Sequence, residues 1–345
     1  MRTALVAFSV VAVAAAALLY ARVQQNRRRR RTIKELSVFP IKGCLGVRVQ
    51  SIAVTRRGLK HDRSMMVVDA NNKFISQRSY PRMVLIKTRL EEGAGGRPLL
   101  RVSAPSGEGQ GQDDLVIELP SDYDSKEEEE ELMGRGRQSS PYLTVTVWGA
   151  ECLAYEVAQE ASAWFSKCLS RGGGEKPENL RLVRMARENV RPCKLTDKGQ
   201  TGFSDQYPLL LASTASMADL TRRLPRSAGH VKMDSFRANV VVDGCIRPWE
   251  EDTWREVAFS CEPEQDITMR VVSHCSRCKV PTNIIERGCF DENDEPTRTM
   301  RTFRQGKELG LTGKAERELY FGVNLDNASL NSGTLSVGQS LRPRP

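Results

Sequence analysis

The sequence contains no G-x-G-x-x-G following a strand-like run and no G-x-x-x-x-G-K-[ST]. Those absences leave neither a dinucleotide-binding sheet nor a P-loop supported. No flavin or haem motif is visible, and no internal repeat marks a solenoid or propeller. A single C-x-x-C occurs, Cys275 to Cys278, without the second pair that a four-cysteine zinc site requires. Acidic residues are missing altogether from positions 1–31, which carry seven arginines. Removing those seven from the formal charge of +9 leaves +2 for residues 32–345. A near-neutral body has no basic stripe to line up on a phosphate backbone, so nucleic-acid binding is not its main business.

The basicity belongs to a segment with its own logic. Ala4 to Ala21 is an uncharged run of 18 residues, close to the roughly 20 that a bilayer-spanning helix needs. Arg27 to Arg31 follow it, against Arg2 and the amino terminus before it. By the positive-inside rule this charge order predicts an uncleaved single-pass anchor with the body in the cytosol. A cleaved signal peptide would place its positive charges before the apolar run. Alanine-rich anchors with basic flanks are compatible with the mitochondrial outer membrane. The nine cysteines are an odd number scattered over the body, several inside apolar strand-like runs. That is the usage of a reduced compartment.

At 345 residues and 39% hydrophobic content the chain can bury a sizeable core. Residues 35–155 read as short strands with turn punctuation, including LSVFPI, SMMVVD, LLRVS and LTVTVWG, spaced as in an antiparallel barrel or sandwich. Pro120 to Pro141, with its glutamate run, is expected to be a mobile surface insertion too charged to pack. Helical periodicity is local. Ala161, Trp164, Phe165 and Cys168 share a face near 157–169, and Met217, Leu220 and Leu224 share another behind a Ser or Thr cap. The linker Arg171 to Glu178 precedes a second strand-rich half. The expected organisation is an anchor over 1–31, a β-rich region over 32–175 and a second β-rich unit over 176–345. The fold class is mainly β with a few helices, α+β.

The densest chemical constellation is SHCSRCKVP, Ser273 to Pro281, after the strand ITMRVV. A cysteine leaving a strand beside Arg277 can have its thiolate stabilised by positive charge and loop amides. Four readings stand for Cys275 and Cys278: a zinc site, a redox dithiol, two buried thiols without function, or one thiolate ligand of a metal cofactor. Elsewhere Lys42 stands alone between a strand and the turn at Gly43, and Arg63 at the edge of SMMVVD. Arg237 and Asn239 are expected on one face at the start of the strand VVVDG. Strand-end cations usually sit in water. Taken together, two arginines, a lysine and an asparagine suit a ligand with a phosphate and a polar ring system.

FPIKGCLGV, GLKHDRSMMVVD, QRSYPRMVLI, FRANVVVDGC, WEEDTWREV and HCSRC occur in that order. From about Ile33 to the C-terminus the chain resembles the MOSC-domain molybdenum enzymes, their amidoxime-reducing branch above all. The resemblance implies a β-barrel core with a smaller N-terminal β-rich region behind one transmembrane helix. It implies the molybdenum cofactor, Mo-molybdopterin, with Cys278 as catalytic residue and molybdenum ligand. Ser276 and Arg277 then adjoin the cofactor. Lys42, Gly43, Arg63, Arg237 and Asn239 meet its pterin or phosphate, Ser204, Asp205, Gln206 and Tyr207 form a contacting loop, and Asn324 is a last contact. The implied activity is reduction of amidoximes, hydroxylamines and related N-hydroxylated compounds. Its electrons would come from cytochrome b5 and the NADH-dependent cytochrome b5 reductase at the mitochondrial outer membrane. Alternatives are sulfur transfer, since MOSC domains also occur in molybdenum-cofactor sulfurases behind a pyridoxal-phosphate domain, and a zinc-stabilised membrane adaptor. The chain departs from the family pattern in having Gly43 for Ser, Gln206 and Tyr207 for small hydroxyl residues, and Pro281 to Ile285 in place of Thr-Thr-Val-Asp-Pro.

Overall fold

The computed structural model describes residues 30–105, 113–134, 142–170, 179–196, 198–261, 265–327 and 332–344. The expected anchor, Ala4 to Ala21, lies outside them. Among the described residues no helix is long and apolar enough to cross a membrane.

Seven strands close a barrel: β1 (Arg31–Val38), β2 (Leu209–Ser213), β3 (Val240–Asp243), β4 (Glu256–Phe259), β5 (Ile267–Arg277), β6 (Leu319–Asp326) and β7 (Ser340–Arg344). Their spatial order is β3-β2-β6-β5-β4-β7-β1, with β1 pairing back onto β3. Only β2 and β3 run parallel; every other neighbouring pair is antiparallel. Alternate residues point inward, among them Leu36, Leu209, Leu211, Val240, Val242, Phe259, Val323 and Leu325, and fill the interior. The opposite alternates of β2, β3 and β6 are buried too. Leu210, Ala212, Val241 and Phe321 pack beneath the helices Thr214–Arg223 and Met233–Phe236. Burial on both faces is why LLLA and VVV read as continuous apolar runs rather than alternating ones.

The second lobe is an antiparallel sheet in the order Met65–Val68, Arg181–Met185, Ala150–Glu156, Tyr142–Val147. Its one face packs on the helix Gln159–Leu169 and on a three-stranded sheet of Lys87–Glu92, Pro98–Ser103 and Leu115–Glu118. The lobes exchange chain. Strand β1 closes the barrel otherwise built after residue 208, and Arg181–Met185 completes the sheet built largely before residue 157.

The acidic stretch beginning at Pro120 packs, contrary to expectation. Lys126–Gly134 is helical, with Glu127, Glu128 and Glu129 in its first turn, where the macrodipole favours anions. Glu128 Oε2 accepts the Ser121 amide at 2.6 Å, and the buried Glu129 accepts the Arg187 amide at 2.7 Å. Charge alone did not exclude packing because Glu128 and Glu129 have backbone donors. The remainder, 135–141, lies outside the described residues.

Candidate functional site

Where the lobes meet, the chain leaving β1 turns through Lys42 and Gly43. Lys42 is 8% exposed. Its ammonium donates to the Phe203 carbonyl at 2.9 Å and ion-pairs with Asp205. Burial pulls the Lys42 pKa below its usual value, although Asp205 works against that. Loss of solvent raises the Asp205 carboxyl, but the Lys42 charge and hydrogen bond, with Trp148 Nε1 donating at 2.9 Å, overturn it. The carboxyl ends well below the ordinary range. Most of the Asp205 side-chain surface remains open, and its short contacts to Lys42 and Trp148 fix that direction.

Arg63 stands on a left-handed turn at φ 44°. Its Nη1 donates to Asp62 Oδ2 at 2.6 Å and to Asn239 Oδ1 at 2.8 Å, and its guanidinium lies 4.2 Å from the Phe39 ring centre. Arg237 covers the same ring at 4.3 Å and donates to the Cys44 carbonyl at 2.8 Å. Arg237 is not in the strand with Asn239 as expected. It terminates the short helix Met233–Phe236 in a left-handed conformation, and the strand starts at Val240. The two positions still converge, through Arg63. Asn239 is 1% exposed and fully used, donating to the Ser37 carbonyl and accepting from Arg63 and the Leu210 amide; it positions Arg63. Burial, then the neighbouring Arg63 charge, lowers Arg237 to about 9. Arg237 has no ion pair among the described residues.

Strand β5 ends at Arg277, so Cys278 is the first residue beyond it. The Arg277 fork does not serve Cys278. Its Nη1 donates to Cys275 Sγ at 3.0 Å and its Nη2 to the Phe236 carbonyl at 2.9 Å, while its buried Nε has no partner. Burial raises the Cys275 thiol, with Arg277 opposing. The half-buried Cys278 Sγ receives only the Val280 amide, at 3.5 Å. The loop amide is where the sequence placed it; the guanidinium belongs to the neighbour. Because Phe236 adjoins Arg237, the Arg277 bond ties the cysteine segment to the cation cluster. Ser276 is exposed. Asn324 donates to Ser273 Oγ at 3.1 Å on the adjacent strand.

In the 204–207 loop, Ser204 and Tyr207 are buried and Asp205 and Gln206 exposed. Burial raises the Tyr207 hydroxyl, with Ser273 as its hydrogen-bond partner. Sequence reasoning passed over three residues that hold these parts together. Arg191 donates to the carbonyls of Gly202, Ser204 and Asp205. Gln77 donates to the Gly43 carbonyl at 2.7 Å, and Asn283 donates to Gln77 Oε1 at 3.1 Å, linking the Lys42 turn to the loop after Cys278. Both Gln77 and Asn283 lay within segments singled out from the sequence, but nothing local marks their pairing. Gly43 has φ +91°, with the Met83 methyl 2.8 Å from where a Cβ would stand. Both facts favour glycine over the serine usual in the family. Among the described residues no three His, Cys, Asp or Glu side chains gather as metal ligands, so the zinc reading lacks its further ligands there.

A closed seven-stranded barrel with a half-buried thiol at a strand exit, and a cluster of cations where the lobes meet, defines a β-barrel protein of one class. Residues 30–172 match the family model of the MOSC N-terminal beta barrel domain and residues 198–342 that of the MOSC domain; the chain belongs to the MOSC-domain family. It is 29% identical to mitochondrial amidoxime-reducing component 1 of Mus musculus, over 96% of this chain and 89% of that protein. To mitochondrial amidoxime reducing component 2 of Homo sapiens it is 29% identical over 96% and 90%. Molybdenum cofactor sulfurase of Arabidopsis thaliana is 29% identical over 81% of this chain but 32% of its own length.

Proposed function

We propose that the chain binds the molybdenum cofactor through Cys278 and reduces N-hydroxylated compounds such as amidoximes. The observation that carries the reading is the state of the cluster itself. Among the described residues Cys278 has one weak donor, Arg277 Nε is buried without a partner, and the half-buried Arg237 has no ion pair. An anionic group ligated by a soft thiolate fits that donor set. When bound, the cofactor supplies the two-electron redox chemistry. Cys278 would hold the metal through its thiolate sulfur. Arg237, Arg63 and Lys42 neutralise the phosphate-bearing end. Asp205 holds Lys42 in place, and Arg191 holds the loop that carries Asp205.

Electrons are supplied in this reading by cytochrome b5 and its NADH-dependent reductase, on the mitochondrial outer membrane. The high coverage of the amidoxime reducing components supports it. Similarity to the sulfurase favours a second reading, sulfur transfer, in which a cysteine carries a persulfide that thiols release as sulfide. Benzamidoxime reduction by the full chain, reconstituted with both electron-transfer proteins, separates the two. Turnover with negligible sulfide release is expected. A molybdenum-replete sample without turnover would remove the reductase reading.

A further inference from the structure

A half-open hollow, whose roughly 450 Å³ of empty space includes open solvent, lies between the segment Thr55 to Ser64 and the acidic segment at Tyr123 and Asp124. None of the residues assigned above to the cofactor lines it. Its lining is apolar at Leu59 and Met185 and cationic at Arg56, Arg57 and Lys60. A smaller hollow of about 230 Å³ shares Tyr123 and Met185 with it and is lined by Arg184 and Arg187.

Three of these arginines have a common defect. Arg57, Arg184 and Arg187 each carry a buried Nε without a hydrogen-bond partner. Their other donors are spent on backbone or are weakly paired. Arg57 Nη2 serves the carbonyls of Ala186, Arg187 and Asn189, Arg184 Nη2 serves that of Glu118, and Arg187 Nε lies 3.8 Å from the Glu129 carboxylate. Of the nearby acids, Asp62 is engaged away from the cavity and Asp124 on its wall, where Lys60 Nζ also donates to the Ser121 carbonyl at 2.6 Å. Asp124 pairs with Arg56 at 2.8 Å, and Asp62 accepts from Arg63 and the Phe39 amide. The Tyr123 ring is held edge-on to His61 at 5.4 Å, with its hydroxyl bonded to His61 Nδ1 at 2.9 Å and Ser64 Oγ at 3.2 Å.

We propose that this chamber is a second ligand site, for a small organic anion with a flat or apolar body and a carboxylate or phosphate head. The body lies against Leu59, Met185 and the Tyr123 ring. The head meets Arg56, Arg57 and Lys60, the cations that line this cavity, where charge-assisted bonds are strongest. The proposal stands whether or not the cofactor reading does.

The test is calorimetric titration of the full chain with benzoate and with phenyl phosphate, followed by crystals soaked with each. At least one is expected to bind at about 1 mM or tighter, with density touching Arg57 and Tyr123; the tighter of the two identifies the head group. Lys60→Glu, checked for an unchanged thermal transition, weakens binding at least about tenfold, and Lys42→Met leaves it unchanged. Binding of neither probe, density only beside Lys42 and Arg63, or sensitivity to Lys42→Met without sensitivity to Lys60→Glu would each overturn it.

Discussion

Cys275 and Cys278 are three residues apart and chemically unlike. Both thiols are half-buried, but one receives a guanidinium and the other a single amide. The sequence presented both in one C-x-x-C and put Arg277 beside the wrong one, because a side chain's reach of several ångströms back along a strand is invisible in spacing. Lys42, Arg63 and Asn239 were legible as polar groups at strand ends, since their segments are short and strongly patterned, whereas Asp205 entered only through the family resemblance. Arg191, Gln77 and Asn283 were not, because their partners come from distant segments. His61 makes a prediction at this scale. Burial, then the Lys60 and Arg184 charges, pushes its imidazole down to about 3. The folded value lies below the unfolded one near 6.5, so its contribution to stability is complete above pH 6.5 and is withdrawn as pH falls toward 3. Between pH 7 and 5 this removes about 2 kcal/mol. Urea midpoints of His61→Asn, whose side chain tolerates the left-handed backbone, should fall correspondingly less over that interval. An unchanged pH slope would contradict the assignment.

Strand β6 decides how β5 presents the cysteines. The ladder between them slips twice, between Val271 and Ser273 and between His274 and Ser276. Gly322 sits in β6 at φ +74°, with the Leu211 carbonyl 2.6 Å from where a Cβ would be. A bulge of this kind re-aims the side chains that follow it. Gly322→Ala should cost about 2–3 kcal/mol in chemical denaturation and raise the reactivity of Cys275 toward thiol reagents; wild-type behaviour on both counts would show the bulge to be incidental. The strands themselves were readable, since burial on two faces gives continuous apolar runs. The slips were not, because glycine in a strand has several uses. The helix Thr214–Arg223 was readable down to its cap, where Ser213 Oγ accepts the Ser216 amide at 3.1 Å. The acidic helix was misread because composition counts charges and not their backbone partners.

At the scale of the molecule, the ends of the chain and its middle are interlocked. β1 lies between β3 and β7, so the barrel cannot close without residues 31–38. A chain beginning at residue 30 should fold as the full chain does, whereas one beginning at residue 40 should lose its cooperative thermal transition. Retention of that transition would mean that the barrel does not need β1. This exchange also explains why a boundary drawn at a linker describes the sequence better than the fold. The same closure fixes the exit of β5, the position of Cys278. Elemental analysis of the purified full chain tests that arrangement most directly. The account predicts about one molybdenum per chain, lost in Cys278→Ser and kept in Cys275→Ser. Molybdenum retained in Cys278→Ser, or stoichiometric zinc in its place, would contradict it.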